Sequence, residues 1–128
     1  MESTAPNMKL LWAGRVISGL GALLLLMGGV MKIMRLPAVI AGFAQFGYPE
    51  SVILTIGLLE VGSAVLYLIP RTAALGAILV AAFLGGATAT HVRMGDPWFA
   101  PVIVGVLMWI GLYLREPRLR ELVPLRRM

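Results

Sequence analysis

Apolar residues run along this chain in four long stretches, parted by short clusters of proline, glycine and charge. The first extends from Leu10 to Met31 and is interrupted only by Arg15. The second covers 51–69 and holds one charge, Glu60. The third, 72–91, and the fourth, 98–114, hold no acidic or basic charge. A helix crosses a hydrocarbon layer of roughly 30 Å with about 17–25 apolar residues, so each stretch qualifies. Lipid offers no partner to backbone N–H and C=O groups, which forces them to be satisfied within the segment. The runs lack the polar alternation of barrel strands, so helices are expected. The pattern predicts an all-α membrane protein, an antiparallel bundle of four transmembrane helices in up-down-up-down order. One transmembrane domain would fill 1–128, with 115–128 as a basic cytoplasmic tail.

The connections sharpen that expectation. Pro70-Arg71 is a very tight link, so the second and third helices must be antiparallel neighbours. The segment 91–97 reads as a short Gly/Pro turn in which Asp96 caps the fourth helix and Pro97 enters its first turn. Pro101 either bends that helix or belongs to its first turn. The first link is longer. Within it, Pro37 to Gly47 is compatible with a helix that gathers Val39, Ile40, Phe43 and Phe46 on one side. It is too short to span and is expected to lie at the interface or as a partial lid. The first stretch also has the look of a signal peptide. Its apolar run is longer than such a segment needs, and no small-residue cleavage site follows Met31, so it reads as a retained helix.

Composition agrees and removes several chemistries. Charged residues make up 13% of the chain, about half their usual share in soluble domains, and hydrophobic residues 59%. Cysteine is absent, which excludes disulfides, thiolate metal sites and cysteine nucleophiles. The single histidine, His91, cannot form a metal cluster alone and is a poor basis for haem ligation. Ser18, Ser51 and Ser63 lack a His–Asp partner, because His91 falls at the outer boundary. No catalytic residues, no metal site and no required cofactor are expected.

The net charge of +5 is accounted for by topology. With four spans, Lys9, Arg15, Arg71, Arg115, Arg118, Arg120, Arg126 and Arg127 share one side, and Lys32, Arg35 and Arg93 the other. Eight against three places both termini in the cytoplasm. Trp12, Tyr67 and Tyr113 would then stand at the inner boundary, Tyr48 and Trp98 at the outer one. The tail arginines are expected to attract anionic lipid, and no nucleic-acid motif accompanies them.

Helices in lipid associate through small residues. Ala73, Ala77, Ala81, Gly85 and Ala89 recur at every fourth position of the third helix, widened by Ala82, Gly86 and Thr90, and are expected to be its packing face. Gly14, Ser18 and Ala22 form a similar stripe on the first helix. The alternative is that such small side chains leave room for a ligand. The methionines read as filler.

Glu60 lies about 14 Å into its helix, near mid-membrane, where an uncompensated carboxyl group is costly. Three readings stay open: a neutral structural hydrogen-bonder, the floor of a ligand pocket, or a proton relay. Arg15 either snorkels to headgroups or reaches towards Glu60. Lys32, His91 and Asp96 either ring the mouth of a cavity above Glu60 or sit as separate solvated helix-end residues.

The segments GRVISGL, GGVMKIMRLP, GFAQFGYPE, GLLEVGSAVLYLIPRTAALGAIL and GGATATHVRMGDPWF together resemble the DoxX-like family of small bacterial membrane proteins, from Arg15 to about Leu119. The resemblance implies a four-helix integral membrane protein. The wider family includes small subunits associated with quinone-linked thiosulfate oxidation, relatives tied to thiol and oxidative-stress handling, and distant membrane chaperones. The expected function is an accessory or binding protein that holds a small hydrophobic molecule, a quinone or lipid, around Glu60, with His91, Lys32, Arg15 and Asp96 as further ligand-binding residues. A membrane subunit of a quinone-linked oxidoreductase, and a chaperone or assembly factor, are the alternatives. Quinone is the candidate cofactor, and a homo-oligomer or a redox complex the candidate association.

Overall fold

The computed structural model describes residues 7–126. Five helices form: α1 Met8–Ile33, α2 Pro37–Phe46, α3 Ile53–Leu68, α4 Ala73–Met94 and α5 Phe99–Arg115. Single 3₁₀ turns precede α3 and α4, at Glu50–Val52 and Pro70–Thr72, and another follows α5 at Pro117–Glu121. Asn7 starts α1 by accepting the Lys9 N–H at 2.9 Å. Gly47 and Gly95 end α2 and α4 at φ of 83° and 73°, a left-handed conformation open to glycine without a Cβ clash.

α1 and α4 each pack against both α3 and α5, which closes a four-membered antiparallel ring. Ala22, Leu25, Ala64, Tyr67, Ala77, Val80, Met108 and Leu112 meet in its centre. The outside stays apolar: Leu20, Leu24 and Met27 on α1, Leu75 and Ile78 on α4, and Ile103 and Val106 on α5 are all exposed. An apolar girdle on this scale belongs against acyl chains rather than water. Three helical segments, Met8–Ile33, Glu50–Leu68 and Pro70–Met94, are long and apolar enough to cross a membrane. α5, at 17 residues, stands at the lower limit.

Two close backbone approaches set the ring. Gly29 of α1 meets Gly57 of α3, where a Cβ on Gly57 would lie 3.0 Å from the Gly29 carbonyl oxygen. A Cβ on Gly76 would fall 2.2 Å from the Tyr67 backbone nitrogen, so α4 turns back directly onto the end of α3. Gly76→Ala is therefore expected to destabilise the bundle, although alanine gains up to about 1 kcal/mol of helix propensity. At Gly85 a Cβ would meet nothing within 4 Å, and Gly85→Ala is expected to hold or raise stability. Thermal unfolding of the two variants in the same detergent checks the difference in sign.

Within the chain, only part of the small-residue stripe of α4 is buried. Ala73 and Ala77 are buried, but Ala81, Gly85 and Ala89 are exposed, and Val80 and Leu84 face the core in their place. The reason is geometric. Four residues turn an α-helix by about 40° more than a full circle, so a strict four-residue spacing drifts by roughly 160° between 73 and 89. Ala81 and Gly85 end up in a shallow apolar groove beside α5.

Two further expectations are corrected. Asp96 does not cap α5: the helix begins at Phe99 without a side-chain cap, and Pro101 sits in its first turn. Tyr67 is not a boundary aromatic but is fully buried. Arg120 turns back and donates to the carbonyls of Tyr113 and Leu114 at 3.0 and 2.8 Å, satisfying orphan acceptors at the end of α5. Arg127 lies outside the described residues.

Candidate functional site

Glu60 occupies the middle of α3, is 4% exposed, and faces α1. Gly28 makes room for it, since a Cβ there would sit 2.8 Å from Glu60 Oε1. Lys32, one residue before the end of α1, sends its side chain back down the bundle, and its Nζ donates to Glu60 Oε2 at 2.7 Å. The pair is desolvated on the carboxylate side, with side chains 20% and 5% exposed. Two opposite charges this close compensate each other where water cannot.

Above this pair lies a cavity of about 360 Å³. Its walls are Phe43 and Phe46 of α2, Tyr48 from the following link, and Phe83, Thr90 and His91 of α4, with Lys32 at its base. Lys32 Nζ stands 5.8 Å from the centre of the Phe83 ring. Phe43 packs edge-on against both Phe46 and Tyr48, and Phe46 edge-on against His91. α2 is short but well placed: Leu36 precedes a proline at the first helical position, and its inward side carries Val39, Ile40, Phe43 and Phe46. Hydrogen bonds hold this cover to α4. Tyr48 Oη and Thr90 Oγ1 lie 2.8 Å apart, and Arg93 donates to the Phe46 carbonyl. Thr90 Oγ1 gives its own proton to the Gly86 carbonyl at 2.9 Å, which leaves the Tyr48 hydroxyl as donor to it.

The residues singled out from sequence separate into two groups. Lys32 and His91 line the cavity, and Lys32 reaches Glu60. Asp96 lies beside His91, 3.7 Å from Nδ1, and belongs to the outer edge. Arg15 is elsewhere. It is exposed near the opposite end of the bundle, with its guanidinium over the Trp12 ring at 5.0 Å. The partner of Glu60 is thus Lys32, folded inward rather than snorkelled outward, because α1 ends one turn above the carboxyl group.

The aromatic walls carry no mark in the hydropathy pattern, apart from Phe43 and Phe46 on the link helix. Phe83 reads as one more apolar residue of the third span. Among the described residues no group of His, Asp or Glu is placed to hold a metal ion. Ser63 bonds back to the Leu59 carbonyl of its own helix at 2.6 Å and takes no part.

The site can hold an apolar molecule between aromatic rings and offer it a charged donor at one end. A cavity of this size, with few polar groups in an otherwise apolar wall, has the general form of a small-molecule site. No curated protein and no solved structure matches the chain. The sequence model of the DoxX-like family matches residues 16–111, a stretch that carries α1 from its third turn, the α2 cover, Glu60, the aromatic walls and most of α5. With its apolar girdle and four-helix ring, the chain is a membrane protein and belongs to the DoxX-like family.

Proposed function

We propose that this protein is an accessory or binding protein of the bacterial inner membrane that holds a small hydrophobic molecule bearing a polar acceptor, such as a quinone head or a lipid ester, in the cavity under α2. The observation that carries the reading is the Lys32–Glu60 pair at 2.7 Å, set at the base of an aromatic chamber. An ammonium group has three N–H donors, and Glu60 uses one. Another remains for a carbonyl oxygen in the chamber, while Phe43, Phe46 and Phe83 supply flat apolar surface for a ring. Glu60 keeps the ammonium at that depth and lowers the cost of burying it. His91 and Asp96 lie at the rim.

In this reading both termini are cytoplasmic, by the excess of basic residues on their side, and the chamber opens towards the outer leaflet. The exposed tail residues Arg118 and Arg126 attract anionic lipid, at about 1 kcal/mol each near the surface.

The test is native mass spectrometry of the protein in mild detergent, titrated with a short-chain ubiquinone analogue. Wild type is expected to retain the probe, and Glu60→Gln and Phe83→Ala to weaken it by about tenfold, with helical content unchanged. The proposal is lost if wild type retains neither the probe nor any co-purified apolar molecule, or if both variants bind as wild type does.

A further inference from the structure

A second cavity, of about 320 Å³, lies at the other end of the bundle, between the start of α1, the Pro70 turn and the end of α5. Leu11, Leu68 and Pro70 form apolar walls, and Arg15, Arg115 and Glu116 supply its charges. The two guanidiniums are prepared differently. Arg115 is fixed: it donates to the Tyr67 carbonyl at 2.6 Å and lies 4.6 Å from the centre of the Tyr67 ring. Its Nε is shielded and has no hydrogen-bond partner. Arg15 is held only by the Trp12 face, and among the described residues no carboxylate or carbonyl accepts from it. Glu116, the one acidic group of the cavity, turns an oxygen towards the Arg118 backbone N–H at 3.2 Å. The balance of charge in the cavity is positive, at the level where the chain turns between two spans.

We propose that this cavity binds a phosphate group, the chemistry shared by an anionic phospholipid headgroup and free phosphate. A guanidinium fork matches phosphate oxygens in pairs, and Arg15 has its fork free, while Arg115, with Nη2 given to the Tyr67 carbonyl and Nε shielded, has Nη1 left to meet the same phosphate from a second helix. The apolar walls then take the first methylenes of a lipid's acyl chains. The site is separate from the chamber under α2, and it gives Arg15 a role that Glu60 does not.

The experiment measures retention of phosphatidylglycerol by the intact chain in mild detergent, by native mass spectrometry, with and without excess inorganic phosphate. Arg15→Gln is expected to lower retention about tenfold while the thermal midpoint stays at the wild-type value. Arg15→Lys, which keeps the charge and loses the fork, should fall between the two. Arg35→Gln, an exposed arginine at the opposite end of the bundle and outside the cavity, should retain the lipid as wild type does. Lipid that resists displacement by phosphate marks the headgroup as occupant. Displacement in wild type marks free phosphate as occupant, and either result supports the site when it depends on Arg15. Retention unchanged in Arg15→Gln, or an equal loss in Arg35→Gln, overturns the proposal, because diffuse attraction would then account for all of the binding.

Discussion

Lys32→Met, with Glu60 left in place, is expected to lower the stability of the bundle by about 3–5 kcal/mol, the usual cost of leaving one member of a buried ion pair alone. The carboxylate is 5% exposed and is held against Gly28 by the packing of α1 on α3, so it cannot swing to water without parting the two helices. Removing both charges should cost much less. In Lys32→Met/Glu60→Met no charge remains to be desolvated, and two flexible thioether chains of similar length fill the same volume. Most of the lost stability is expected to return. Thermal unfolding followed by circular dichroism in one detergent, on the wild type, both single variants and the double variant, gives the coupling directly. A Lys32→Met protein as stable as the wild type would mean that the pair is solvated in the membrane-embedded protein. The double variant should also fail to retain the quinone analogue, which separates a stabilising role from a binding one.

Tyr67→Ala should have an effect of similar size, about 3–5 kcal/mol, by a different route. The ring is fully buried where α1, α3 and α5 converge. Its Oη lies 2.5 Å from the Met108 carbonyl and 2.9 Å from Ser18 Oγ, and so ties α3 to both neighbours. The carbonyl can only accept, so the phenol proton goes to it and the Ser18 hydroxyl completes the second bond. Gly111 allows this approach, since a Cβ there would stand 2.6 Å from Ser18 Oγ. Tyr67→Phe keeps the volume and loses only the hydroxyl, for about 0.5–1.5 kcal/mol. A large gap between the two variants shows that packing dominates. Equal losses would put the weight on the hydroxyl network.

The two ends of the bundle differ in how readily their chemistry can be read from sequence. Glu60 stands out, because a carboxyl group inside a 19-residue apolar run demands compensation whatever surrounds it. The identity of its partner does not stand out. Lys32 follows the first span and Arg15 lies inside it, and either long side chain could point towards the membrane interior or away from it. Only the register of α1 against α3, set where Gly29 meets Gly57, brings Lys32 rather than Arg15 to the carboxylate. Tyr67 was open to inference too. It follows Glu60 by seven residues, two helical turns, and so shares its inward side, yet its position near a span end suggests a boundary anchor instead.

Hydropathy by itself determined the number of helices, their antiparallel order and the short cover over one end. These depend on local quantities: the length of each apolar run, the proline and glycine between runs, and the absence of water for unpaired backbone groups. Tertiary structure alone decided which small residues pack, which cation meets Glu60, and that Arg115 and Arg120 turn back onto backbone carbonyls. Those outcomes depend on helix rotation and register, where a drift of about 40° per four residues or a slide of one turn exchanges one neighbour for another while the hydropathy pattern stays the same.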